Sequence, residues 1–198
     1  RSNSGAGGSS TRGIWTNGFG PSFSNVIDYV TLANTGNATD FGDSTVSTYD
    51  KNAFASSTRL ISGGGDLGPA QTNVIDYVTI SSTGDASDFG DLLNANQGVA
   101  TYSSSTRGIF AGGYRAPSPG QTNEIQYVTM ASTGNAQDFG DLTQARGEFH
   151  GAGSTIRGIA AGGSTPSYQN TMDYVTIASL GNAEDFGDLT IAVTQMSG

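Results

Sequence analysis

Apolar positions along this 198-residue chain recur in short bursts and not on one helical face. In Ile27-Asp-Tyr-Val-Thr-Leu32, side chains alternate across a strand, so Ile27, Tyr29 and Thr31 share one face and Asp28, Val30 and Leu32 the other. Apolar groups on both faces predict a sheet covered from both sides, since a half-solvated sheet alternates more cleanly. The pattern predicts strands at Val26–Leu32, Val74–Ile80, Glu124–Met130 and Thr171–Ile177. A shorter apolar strand precedes each, at Gly13–Asn17, Leu60–Ser62, Gly108–Ala111 and Gly158–Ala161. Before these come strands of small residues, at positions 1–8, Lys51–Ser56, Gly98–Ser103 and Glu148–Gly153. A short outer strand closes each group, at Ala38–Asp43, Ala86–Asp91, Ala136–Asp141 and Ala183–Asp188.

These groups are copies of one unit. Arg12, Arg59, Arg107 and Arg157 are spaced by 47, 48 and 50 residues. Tyr29, Tyr77, Tyr127 and Tyr174 are spaced by 48, 50 and 47, as are the Asp-Phe-Gly-Asp runs beginning at Asp40, Asp88, Asp138 and Asp185. Three markers with one period divide the chain into 1–43, 44–91, 92–141 and 142–188, with 189–198 a tail that repeats the linker leading into a further unit. Four short strands in a unit of this length predict a propeller blade. The expected fold is therefore all-β: one domain over 1–198, a four-bladed β-propeller with four-stranded antiparallel blades. Small residues on the first strand of each unit suit crowding around a central axis. An excised part of a larger ring, or half of a ring completed by a second chain, are the alternatives.

Composition supports this reading and narrows function. Thirty glycines with few charged residues disfavour helices and suit strands joined by tight turns. The net charge of −9 leaves no basic stripe for nucleic acid and repels anionic membranes. No apolar run approaches the roughly 20 residues of a helical membrane span. The absence of cysteine removes disulfides and thiolate metal sites. The chain starts at Arg1 without Met, which suggests a processed or excised piece of something longer.

The run Arg146…His150…Gly158-Ile-Ala-Ala-Gly-Gly163…Met172-Asp-Tyr-Val…Phe186…Leu189 resembles a kelch-type propeller repeat. It departs from that family by carrying Phe41, Phe89, Phe139 and Phe186 where kelch units have Trp, and the first unit lacks the Gly-Gly pair. Over the whole chain, Tyr-Val-Thr-Ile-Ala-Ser-Thr-Gly-Asn-Ala-x-Asp-Phe-Gly-Asp and Ser-Ser-Thr-Arg-Gly-Ile-Phe-Ala-Gly-Gly resemble repeats in tail-fibre and other virion-associated proteins of marine phages, particularly those infecting cyanobacteria. The resemblance implies a virion or extracellular structural or adhesive module. It assigns no catalytic residue and no cofactor.

Asp-Phe-Gly invites comparison with a kinase, but its fourfold recurrence without a strand lysine or His-Arg-Asp removes that reading. The phenylalanines are expected as aromatics packed between blades. Arg12, Arg59, Arg107 and Arg157 are expected to pair with Asp40, Asp88, Asp138 and Asp185, or with Asp43, Asp91, Asp141 and Asp188, as a carboxylate fork repeated in each blade. Calcium is the rival reading for those carboxylates. With only two recurrent acidic residues per unit, no metal site is assigned. His150, the one histidine, is expected to be packed or to face the axis.

The Ser-Ser-Thr-Arg and Ser-Thr-Gly-Asn turns barely change between units, whereas the loops after the second strand change completely, as do the linkers. In a four-strand meander both variable sets fall at one end. Phe19, Phe23, Tyr114, Arg115 and Tyr168 are the candidate ligand-binding residues there, since aromatics among Ser, Gly and Gln suit a binding surface. Ordinary loop drift explains the same contrast without function. The first expectation is thus a non-enzymatic adhesion module binding a cell-surface glycan or protein, or packing on other virion subunits or on further copies of itself. The second is a glycan-active enzyme. It needs a non-repeated acidic pair near the axis, for which Glu148, Asp50 and Asp66 are candidates. A purely structural spacer is the third.

Overall fold

In the computed structural model, which describes residues 4–117 and 120–194, every regular element is a β-strand. Sheet I holds β1 (Gly5–Gly8), β2 (Arg12–Thr16), β3 (Ser24–Thr31) and β4 (Thr39–Thr48). Sheet II holds β5 (Asn52–Ala55), β6 (Arg59–Gly63), β7 (Val74–Thr79) and β8 (Ser87–Asp91). Sheet III begins with β9 (Ala100–Ser103) and β10 (Arg107–Ala111). A two-stranded ribbon, β11 (Tyr114–Arg115) and β12 (Gly120–Gln121), interrupts it before β13 (Glu124–Thr129) and β14 (Gln137–Asp141). Sheet IV holds β15 (His150–Gly153), β16 (Arg157–Ala161), β17 (Ser164–Thr165), β18 (Ser167–Thr176) and β19 (Glu184–Val193). The long strands run antiparallel in chain order within each sheet, and β17 is an added strand folded onto the start of β18. The four sheets and the ribbon make five sheets. The first predicted strand is seen from Ser4 and the tail as far as Thr194; positions 1–3 and 195–198 of those two predictions lie outside the described residues.

The two-sided apolar pattern is explained by stacking. One apolar cluster joins Ile14, Ile27 and Phe41 of sheet I to Leu60, Val78 and Ile80 of sheet II. A second joins Ile61, Ile75 and Phe89 to Phe110, Val128 and Met130, and a third joins Ile109, Ile125 and Phe139 to Ala160, Val175 and Ile177. At each of these three junctions the earlier sheet shows its Ile/Tyr face and the later sheet its Asp/Val face. Among the described residues, no such cluster joins sheet IV to sheet I.

The Asp-Phe-Gly-Asp run is the clasp of each junction. Gly84 and Ala86 donate their amides to the carbonyls of Phe41 and Asp43, at 2.7 and 2.8 Å. Gly134 and Ala136 bond Phe89 and Asp91 in the same way, and Gly181 and Ala183 bond Phe139 and Asp141. The amides of Asp43, Asp91 and Asp141 in turn donate to the side-chain oxygens of Asp85, Asn135 and Asn182, at 3.0–3.1 Å. The glycine inside each run is required by this approach. Gly42, Gly90 and Gly140 have φ near +141, +143 and +145. A Cβ on any of them would lie 2.4–2.5 Å from a carbonyl oxygen of the next unit's turn. Variation in the Ser-Thr-Gly-Asn turn is restricted because that turn is half of an interface.

Candidate functional site

The four repeated arginines do not form the expected carboxylate fork. Nη1 of Arg12, Arg59 and Arg107 instead donates to the carbonyls of Ile80, Met130 and Ile177 in the following unit, at 2.6, 3.1 and 3.0 Å. Each guanidinium, including that of Arg157, sits 4.6–4.7 Å over its own unit's tyrosine ring. The carbonyl wins because it lies on the strand facing the arginine, whereas Asp40 and Asp185 turn back to accept from the amides of Gly42 and Gly187. The residues are still interlocking, but through a hydrogen bond and a cation–π contact across a junction. Phe41, Phe89 and Phe139 are buried between sheets as expected, at 2% exposure each, whereas Phe186 is 46% exposed, with no sheet among the described residues packed on it.

Ion pairing occurs elsewhere. Lys51 Nζ lies 2.5 Å from Asp76, and Arg146 Nη2 lies 3.0 Å from Asp173, with all four side chains buried. Burial lowers the pKa of both cations, and the facing carboxylates oppose that shift. Thr45 and Thr143 donate their hydroxyls to the same two aspartates. In sheet III the corresponding strand position is Gln126, whose Oε1 takes the amide of Leu93 at 2.8 Å. The pairs therefore bolt each linker onto the central strand of the unit it enters. The sequence pattern placed Arg146 at the head of the kelch-like run but pointed to neither pair.

The variable loops and the linkers do share one end of the stack. Tyr49 bridges to Asp66, Gln97 to Tyr114 and Gly147 to Ser164, each pairing a linker with the loop of the next unit. Of the five aromatic and basic candidates, Phe19 and Tyr168 present free faces, at 45% and 64% exposure. Phe23 stacks on Tyr49 at 5.1 Å and tilts against Phe19 at 5.7 Å, so the first loop is a small aromatic cluster. Tyr114 is half-buried and hydrogen-bonds Ser164 through its hydroxyl at 2.5 Å; Arg115 is ion-paired to Glu124. The structure brings Tyr114 and Arg115 together but not with Phe19, Phe23 and Tyr168 in one pocket.

Tyr114 and Arg115 line a depression of about 250 Å³ together with Gln71, Gln97 and Glu148. Every one of these side chains comes from a loop or linker that differs between units. Nε2 of Gln71 donates to Oε1 of Gln97 at 3.1 Å, and Oε1 of Gln71 accepts the amide of Ala116 at 3.0 Å, which fixes both amides.

Glu148 also reaches a second, smaller cavity of about 90 Å³, lined by Ser4, Asp50, Asn52, Gly98, Phe149 and His150. Asp50, Gly98 and Glu148 hold equivalent places in successive linkers, all with left-handed backbone at φ of 58, 59 and 57. The chain of bonds that links them runs from the amide of Gly98 to the carbonyl of Asp50, and from the amide of Glu148 to the carbonyl of Gly98. Two non-repeated acids thus meet at one place. Burial first, then the charges of Glu148 and Asp66, pushes the Asp50 carboxyl up to about 6. Burial lowers the pKa of His150. Among the described residues, no group of three or more His, Asp or Glu side chains is arranged to hold a metal ion. No protein-family model matches the chain, and no curated protein matches it as a relative.

Proposed function

We propose that the four sheets are blades of a kelch-like β-propeller and that the chain is a non-catalytic glycan-binding module of a phage virion or tail fibre. The observation that carries the binding reading is the make-up of the loop-face depression. Two fixed amides (Gln71, Gln97), a guanidinium (Arg115), a carboxylate (Glu148) and an aromatic ring (Tyr114) surround a volume of about 250 Å³. A sugar offers paired hydroxyls to planar amide and carboxylate groups and an apolar ring face to an aromatic. Phe19 and Tyr168, exposed on separate loops at the same end, offer further ring faces for a longer oligosaccharide. Virion placement rests on the wording of the repeats alone. A glycan array with the wild-type chain, Gln97→Ala and Tyr114→Phe tests the reading. Binding weakened at least roughly tenfold by Gln97→Ala is expected; a wild-type chain that captures no glycan removes it.

One observation favours a glycan-active enzyme instead: Asp50 and Glu148 share the axial cavity, and the Asp50 carboxyl stays protonated to about pH 6. Glycosidases use two carboxyls in unlike states. The cavity, at about 90 Å³, is much smaller than the loop-face depression of about 250 Å³, which is why binding is preferred. Release of reducing sugar from host polysaccharide, abolished by Asp50→Asn, is the result that would reverse this preference.

A further inference from the structure

The two ends of the stack are the unused halves of one junction, and we infer that a second copy of this chain completes it, sheet I of one copy seating on sheet IV of the other. Three junctions inside the chain define what each half requires.

On sheet I, no sheet among the described residues covers the face that in every other unit meets a preceding sheet. Leu32 is 57% exposed, whereas its equivalents Ile80, Met130 and Ile177 are 1–2% exposed. Trp15 is 41% exposed, whereas its equivalents Ser62, Phe110 and Ala160 are 0–3% exposed. Trp15, Val30 and Ala38 border an open cavity of about 420 Å³. On sheet IV, the face that elsewhere meets a following sheet is open: Phe186 is exposed, and Ile159 and Met172 are only partly covered.

The polar parts match as well. A Cβ on Gly187 would meet nothing within 4 Å, whereas those on Gly42, Gly90 and Gly140 would strike the next unit's turn. By the pattern of the three internal clasps, the carbonyls of Phe186 and Asp188 take the amides of Gly36 and Ala38 from the second copy. The amide of Asp188 donates to Asn37, and Arg157 donates to the carbonyl of Leu32. Size is complementary too. Phe110 packs against Phe54 at a ring separation of 4.9 Å, and Tyr102 lies against Gly158, so large groups already cross these interfaces. Opposite Trp15 the sheet IV counterpart of Phe54 and Tyr102 is the exposed Ala152, which leaves room for the indole. The contact is heterologous, so two copies close into a ring or further copies extend it.

This inference stands independently of the ligand. Sedimentation velocity over a concentration series tests it. The wild-type chain is expected to self-associate, and Trp15→Glu or Phe186→Glu, each on an exposed side chain, to weaken association roughly 30-fold or more while the circular dichroism of the sheets is retained. Mixing the two variants restores one intact junction, which only a head-to-tail contact allows. A wild-type chain that stays monomeric throughout, or a mixture that does not recover association, overturns the inference. Because the chain has no cysteine, Asn37→Cys combined with Asp188→Cys gives a second readout. A disulfide between copies supports the contact; a disulfide within one chain, or none, refutes it.

Discussion

The amide of Gly134 donates to the carbonyl of Phe89 at 2.7 Å, and Gly90, the residue after Phe89, lies so close to Gly134 that a Cβ on it would be 2.5 Å from the Gly134 oxygen. A motif that looks like chemistry is thus a place where two backbones touch. Gly90→Ala is expected to destabilise the chain by about 2–4 kcal/mol, combining backbone strain with loss of the clasp. Gly187→Ala has a similar φ, near +127, but no neighbour, and is expected to cost about 1 kcal/mol. Urea unfolding of both variants in dilute solution separates contact from strain; equal losses would show that the clasp contributes nothing.

The arginines allow the same comparison with a polar contact. Arg107 bonds the carbonyl of Ile177, whereas Arg157 keeps the tyrosine contact but, among the described residues, faces no further sheet. Arg107→Ala is expected to lose about 1–2 kcal/mol. Arg157→Ala in a dilute, monomeric sample is expected to stay within about 0.5 kcal/mol of wild type. Thermal melts rank them directly.

Asp173→Ala leaves Arg146 charged and buried without its partner, a change expected to cost about 3–5 kcal/mol. Sheet III manages the same two places with Asn96 and Gln126, both buried. The double change Arg146→Asn with Asp173→Gln is therefore expected to recover most of that loss. A double variant no more stable than Asp173→Ala would mean that the ion pair has no neutral substitute here.

Asp50 sets a pH dependence whose sign is opposite to that of a salt-bridged acid. Its carboxyl titrates near 6 in the fold and near 3.8 when unperturbed. Below about pH 4 both states hold the proton and the site contributes nothing. As pH rises to about 6 the unfolded chain releases its proton first, and stability falls by about 3 kcal/mol. Asp50→Asn is expected to raise stability above pH 6 and flatten the profile between pH 4 and 6, with little change at pH 3. Asn also tolerates the left-handed backbone at this position. Denaturant midpoints across that range give the answer.

The period and the strand order of each unit were legible in the sequence because Ile, Tyr, Val and Phe recur at fixed places, and the two-sided pattern of Ile27–Leu32 already implied stacking. What could not be read was which copy a residue touches. Arg107 and Asp138 recur together, so pairing within a unit looked natural, yet the partner of Arg107 is a carbonyl in the next unit. Backbone acceptors leave no trace in side-chain identity. Lys51–Asp76 and Arg146–Asp173 escaped because their cations come from different linker positions and carry no common period. The meeting of Asp50 and Glu148 in one cavity had a signal that alignment offers: both stand two residues before the first strand of their sheet.

Because each clasp involves only consecutive units, the inner sheets II and III are held on both faces while sheets I and IV are held on one. Stability in such a stack is a sum over units and nearest-neighbour contacts. Amide exchange should therefore be slowest in the middle and quicken toward the ends, so that the molecule melts as a frayed column and not as a single block. Lengthening that column by one more unit would add a junction of a kind it already contains, without asking any existing contact to change.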